Sequence, residues 1–196
     1  FNDDNTDRGS GLTTHHADSY LAATLPKDGT YRFNLRDTQH RGGQDYSYRL
    51  RISAPMPDFA LRVVPSTISA RAGSTIPVTV YALRKDGFTG EIAVSLKNAP
   101  GGFRLSAAKI PADQDKVKLT LTAPPSPSNE PIPIELEGHA TVGDKEIVHV
   151  AVPADDRMQA FEYRHLVPSE ELTVAVAGRG DAGGNRRRAG SSKKRP

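Results

Sequence analysis

No cysteine occurs in these 196 residues. That removes disulfide frameworks, thiolate zinc sites and cysteine nucleophiles together. It does not speak against export, since many exported bacterial proteins manage without cysteine. Tryptophan is also missing, and aromatics make up only 6% of a chain that is 36% apolar. This supply is thin for one large core and suits two small β-sandwiches. No apolar run approaches the roughly 18 residues of a membrane span, so membrane insertion is not expected. Nothing at the start resembles a signal peptide, and Phe1 reads as lying inside a domain, with further polypeptide expected at both ends. Helical periodicity is scarce. With no strand-to-helix Gly-rich loop and no Gly-x-Ser-x-Gly elbow, phosphate cradling and serine hydrolysis lack a scaffold. The paired carboxylates Asp155–Asp156 and Glu170–Glu171 fall in turn-like segments where charge serves solvation. The chain is expected to be non-enzymatic.

Period-two alternation is what the sequence has in quantity. "TYRFNLRD" (30–37) sets Tyr31, Phe33 and Leu35 against Arg32, Asn34 and Arg36. "DYSYRLRIS" (45–53) repeats the design with Tyr46, Tyr48, Leu50 and Ile52. "DTQHRGGQ" between them supplies turn chemistry for a hairpin, and "DSYLAATL" before the "PKDG" turn reads as a third strand. "SAPMPD" then breaks the pattern as a short, stiff linker. Beyond it, "FALRVVP", "STIPVTVYAL", "GEIAVSLKN", "GFRLSAAKI", "DKVKLTLTAP", "PIPIELEGHATV" and "KEIVHVAVP" are short strands at even spacing. "KDG" (85–87) and "VGDKE" (142–146) read as hairpin turns. The set predicts an immunoglobulin-like sandwich without the antibody-type Cys and Trp.

The expected class is therefore all-β, with two β-sandwich modules in tandem. Residues 1–53 are expected to form a first, partial sandwich and 54–58 a linker. Residues 59–153 form the Ig-like sandwich, and 154–177 supply extra strands or begin a further module. The net charge of +3 belongs to the end of the chain. From Arg179, "RGDAGGNRRRAGSSKKRP" carries an excess of six positive charges, leaving a body near −3. Gly, Ser and like charges cannot offset chain entropy, so 178–196 is expected to be a disordered basic tail. Its "RRR" and "KKR" clusters have no stacking aromatic nearby, so no specific nucleic-acid recognition is expected. Its "RGD" is what such a composition produces by chance.

One stretch invites a metal. In "NDDNTDRGSGLTTHHADSY", Asp3, Asn5 and Asp7 stand at alternate positions with Gly9 and Gly11 following, and Asp18 is a fourth donor across the loop. Alternate oxygens on a turning loop suit Ca²⁺, which takes six to eight oxygen ligands. Against this, the glycine comes one position later than in a helical calcium loop and no Glu stands at Thr14. The plain alternative is a solvated loop with Asx-turns. A calorimetric titration showing no heat, together with no thermal shift at millimolar calcium, would exclude the ion. His15 and His16 are neighbours and on a strand would face opposite ways. His139 and His149 flank the "VGD" turn and could approach across a hairpin. A zinc site is conceivable there, with a simple cross-strand pair as the plainer reading. His40 and His165 are expected to be exposed.

The first fifty residues resemble the C-terminal half of a bacterial pre-peptidase C-terminal domain. The likeness rests on "NDD", "HHADSYLAATLPKDGTYRFNLRD" and "GGQDYSYRLRIS", in that order. With an Ig-like module following, the combination is similar to large secreted proteins of planctomycete-type bacteria. The resemblance covers about a quarter of the chain and implies a jelly-roll-like sandwich appended to exported proteins, without chemistry of its own and in some members calcium-bound. The family's opening strands are not among these residues. The function so implied is a non-catalytic accessory or spacer region, secreted or held at the cell surface or in the periplasm. Its partners would be other domains of the same longer polypeptide. Two alternatives remain open. One is an adhesive module binding extracellular protein or polysaccharide through an aromatic face with Tyr20, Tyr31, Tyr46 and Tyr48. The other is part of a secreted protease whose catalytic domain lies elsewhere.

Overall fold

A computed structural model describes residues 19–37, 39–98, 100–106, 108–158 and 164–178. Among them are twelve strands and no helix. In chain order these are β1 (Asp58–Val64), β2 (Thr67–Arg71), β3 (Thr75–Lys85), β4 (Ile92–Lys97), β5 (Arg104–Leu105) and β6 (Ala108–Ile110). They continue as β7 (Lys116–Thr122), β8 (Ile132–Val142), β9 (Lys145–Val150), β10 (Val152–Met158), β11 (Arg164–Pro168) and β12 (Leu172–Ala177). The fold is all-β. One sheet has the order β11-β10-β1-β3-β7-β5, and the other β2-β12-β8-β4-β6 with β9 on β8.

Alternation explains the packing. In β1, Phe59, Leu61 and Val63 are buried while the residues between them are half-buried. They meet Val78, Val80, Leu119 and Leu121 from their own sheet and Ile92, Ile134, Leu136, Leu172, Val174 and Val176 from the other. Each such side chain contributes about 1.5–3 kcal/mol when fully buried. Two of the prolines inside strands, Pro77 and Pro133, fall where a ladder has ended on one side. β1 leaves β3 after Val64↔Thr79, so Pro77 has only β7 beside it. Pro133 likewise lies beyond the reach of β4, which pairs β8 only from Glu135. A missing N–H costs little at such places.

Three sheet changes escaped the alternation argument. β1 and β2 are nearly continuous in sequence, yet the chain crosses between sheets at Pro65 and Ser66, where the Val64–Pro65 peptide is cis. The run expected as one strand in "GFRLSAAKI" is divided into β5 in one sheet and β6 in the other. "KEIVHVAVP" is divided in the same way into β9 and β10, with buried Ala151 between them. Two inward-facing layers both alternate with period two, so the pattern cannot tell which sheet a residue joins. The strands after Pro153 extend these same two sheets. β10 pairs with β1 and β11, and β12 lies between β2 and β8.

Turn chemistry was read correctly at Gly143 and with a different outcome at Asp86. β8 and β9 form a two-residue hairpin closed at Val142↔Lys145, with Gly143 at φ 61°. Lys85 to Phe88 makes an equally tight turn, with Asp86 and Gly87 at φ 50° and 79° and a Phe88 N–H···O=C Lys85 bond of 3.0 Å. It joins strands of opposite sheets, because β3 is already flanked by β1 and β7, and is therefore no hairpin. Before residue 58 the described residues carry no strand, and all of them are exposed. The expected turns are nevertheless present: the Tyr31 hydroxyl donates to the Lys27 carbonyl (2.6 Å), and Asp37 Oδ2 accepts from the Gln39 N–H (2.9 Å). Turns form locally, whereas a lone hairpin without a covering layer is marginal at best.

Candidate functional site at the proximal pole

β1 begins at one pole of the sandwich, and there Arg84, Asp86, Asp58 and His149 make a set of polar contacts. Arg84 pairs with Phe59 across the β1–β3 ladder and so points inward. Its side chain is 14% exposed and is consumed by main-chain carbonyls. Nη1 donates to Gly90 (2.6 Å), and Nη2 donates to Pro111 (2.7 Å) and Gln114 (3.1 Å). Asp115 lies 3.6 Å from Nε, and the guanidinium sits 5.3 Å above the Phe88 ring. Phe88 is buried and packs on Phe59 with ring centroids 5.6 Å apart. One arginine thereby holds two loops against an aromatic pair.

Asp86 stands on the turn that Phe88 anchors. Its Oδ2 accepts the Met56 N–H at 3.1 Å, and its Oδ1 accepts the Tyr20 hydroxyl at 3.3 Å. The Asp86 charge, then burial and the hydrogen bond itself, raise the Tyr20 phenol above its ordinary value. Beside it, Asp58 Oδ1 lies 2.7 Å from His149 Nε2, and the His149 ring stands edge-on to Phe59 at 5.0 Å. Burial works to raise the Asp58 carboxyl. Hydrogen bonds from His149 and the Phe59 N–H, with the His149 and Lys85 charges, outweigh it and hold the group below the usual range.

The two histidines of the β8–β9 hairpin do not meet. Register pairs His139 with Val148 and His149 with Gly138. The two are thus one position out of step and face opposite sides of the sheet. His149 looks inward over Gly138, where an added Cβ would collide with Leu61 and crowd Ile92 and Phe59. His139 looks outward between two carboxylates, Glu146 Oε1 3.0 Å from Nδ1 and Glu137 Oε1 3.1 Å from Nε2. Those hydrogen bonds, to Glu137 first and Glu146 second, raise its pKa against the opposing effect of burial, and the charges of the two carboxylates add to the rise. Carboxylates on opposite ring nitrogens cannot share one ion with that ring. Among the described residues no group of three or more His, Asp or Glu is arranged to hold a metal.

The other expected residues fall as follows. Asp3, Asn5, Asp7 and Asp18, together with His15 and His16, lie outside the described residues, as does the basic tail from Arg179. His40 is exposed, and Tyr20, Tyr31, Tyr46 and Tyr48 are 43–75% exposed. Asp155 and Asp156, expected in a turn, belong to β10. Asp155 Oδ1 accepts the hydroxyl of buried Ser66 at 2.7 Å, at the point where the chain crosses between sheets. The Ser66 hydroxyl, and with it Arg157 and the Ser66 N–H, draws the Asp155 pKa down against burial. Sequence reasoning missed Arg84, Asp86 and Ser66. The one available signal was Asp-Gly after a strand, which marks a turn but not what its carboxylate binds.

Chemically, this pole links strands. Asp58 and His149 form an oriented pair, and His139 is held between Glu146 and Glu137. Fold and pole together define a β-sandwich module whose polar groups brace the incoming chain. No protein-family model matches the chain, and no curated protein matches it either.

Proposed function

We propose that the chain is a non-catalytic spacer region of an exported bacterial protein, holding a partner domain of the same polypeptide at a set distance. One observation carries this reading. β1 and β2 run in one direction from Asp58 to Arg71, and β12 runs parallel to β2, ending at Ala177↔Arg71. The chain therefore enters the sandwich at the proximal pole and leaves it at the distal one. At roughly 3.3 Å per residue of extended strand the poles lie about 40 Å apart. Modules with their ends at opposite poles add length when joined in series; a module with adjacent ends does not.

The strand order supports an immunoglobulin-like assignment. β1, β3, β7 and β5 take the places of strands A, B, E and D, and β4, β8 and β12 those of C, F and G. The resemblance of residues 1–53 to pre-peptidase C-terminal domains supports a secreted or cell-surface setting, and calcium at Asp3, Asn5, Asp7 and Asp18 belongs to the same proposal. A second reading, an adhesive module, draws support from the exposed alternation of Tyr31, Phe33, Leu35, Tyr46, Tyr48, Leu50 and Ile52.

A domain exchange in the parent polypeptide separates the two. Residues 58–177 are replaced by an unrelated sandwich that also has ends at opposite poles, or are deleted. A spacer is restored by the replacement and lost on deletion, read as the activity or reach of the attached domain. Loss in both cases rejects the spacer.

A further inference from the structure

The Pro55–Met56–Pro57 tripeptide leads directly into β1, and its chemistry is unusual for a linker. Pro55 and Pro57 have fixed φ and no N–H. Between Ala54 and Asp58, Met56 has the sole main-chain donor, and Asp86 Oδ2 accepts it at 3.1 Å. The other oxygen of the same carboxylate accepts the Tyr20 hydroxyl at 3.3 Å, so one side chain grips the preceding segment at positions 36 residues apart. The turn that carries Asp86 is itself held. Phe88 is buried on Phe59, and Arg84 fastens the following loop through Gly90. Two residues past Met56, Asp58 is fastened to His149 at 2.7 Å.

We propose that Asp86 is a lock that makes the approach to the sandwich a rigid joint, fixing the angle at which the preceding polypeptide leaves the proximal pole. This rests on the spacer reading and deepens it, since a stiff spacer sets direction as well as distance. The partners of the lock are the Met56 N–H, between two prolines, and the Tyr20 phenol. Flexible linkers behave otherwise: their donors go to water and their ends sample a broad distribution of distances.

Asp86→Gly is the clean test. Glycine accepts the positive φ that Asp86 adopts, so the turn survives while the carboxylate is removed. Asp86→Asn is the rescue variant, keeping tolerance of that φ and one acceptor oxygen. Because the chain has no cysteine, Ser47→Cys and Lys118→Cys introduce the only two thiols for spin labels, both at exposed positions. The native sequence is expected to give one narrow distance distribution. Asp86→Gly is expected to broaden it severalfold and to speed exchange of the Met56 amide about tenfold or more. Asp86→Asn is expected to fall between them, with the melting temperature of the sandwich unchanged in both variants. An unaltered distribution and an unaltered Met56 exchange rate in Asp86→Gly overturn the lock. So does an equally broad distribution in the native sequence. These outcomes are independent of the domain exchange, so a rigid joint can stand where the spacer reading has failed.

Discussion

At Ser66 a buried hydroxyl marks the place where the first strand abandons one sheet for the other, and its acceptor comes from a residue 89 positions away. The two partners are not equivalent. Removing the hydroxyl in Ser66→Ala frees an exposed-side carboxylate that water can reach, at a cost of about 1 kcal/mol. Removing the carboxylate in Asp155→Ala leaves a buried donor without its acceptor, at about 1–3 kcal/mol. Urea unfolding of both single variants and the double variant measures the difference. The double variant is expected to cost less than the sum of the two. The pH dependence has a definite sign. Asp155 is lowered from 3.8, so its contribution is present above that value and is lost as pH falls through the folded-state pKa. Asp155→Ala should flatten the acid limb of the stability curve. None of this was legible beforehand: "DD" in the sequence looks the same whether it meets water or a hydroxyl.

At the scale of elements, the β8–β9 hairpin shows what one residue of register decides. Its turn was readable, since Gly143 supplies the positive φ that a two-residue connection needs. With Val142 opposite Lys145, His139 and His149 are forced to opposite faces. The sequence spacing alone left both outcomes open. His139 then binds the hairpin to itself through Glu146 and Glu137 on the outer face. Its pKa is raised above 6.5, so the stabilisation is complete below that value and disappears as pH rises through the folded-state pKa. Melting temperatures of the native chain are expected to fall from pH 6 to pH 8.5 by more than those of His139→Asn. Parallel curves would show that the ring contributes nothing through charge. The same hairpin explains Gly138, which is inward-facing and has no room for a methyl group between Leu61 and Phe59.

For the whole molecule, the distribution of the core sets the unit of folding. Among the described residues, every buried side chain of the core comes from Phe59 or later. Residues 54–178 are therefore expected to fold alone. Their melting temperature should match that of the full chain to within a few degrees, because a core left intact keeps its stability. A large drop would show that the preceding segment packs on the sandwich far more extensively than through Asp86. The tyrosines and aliphatics of residues 31–52 would then have a role in stability that their exposure does not suggest.

From Asp58 onward most strand positions followed from the amino-acid sequence, as did the all-β class and the turn at Gly143, because alternation and turn residues act over a few neighbours. Among the described residues the strands expected within 18–53 did not form, since alternation without a covering layer is not enough. Sheet membership, the crossover at Ser66 and the facing of the two histidines did not follow from the sequence, since both sheets of a sandwich impose one and the same period. The grip of Asp86 on Met56 and the placement of Asp58 and Ala177 at opposite poles were likewise settled only in three dimensions. They depend on which strands run side by side and in which direction, and that is a property of the whole set of ladders.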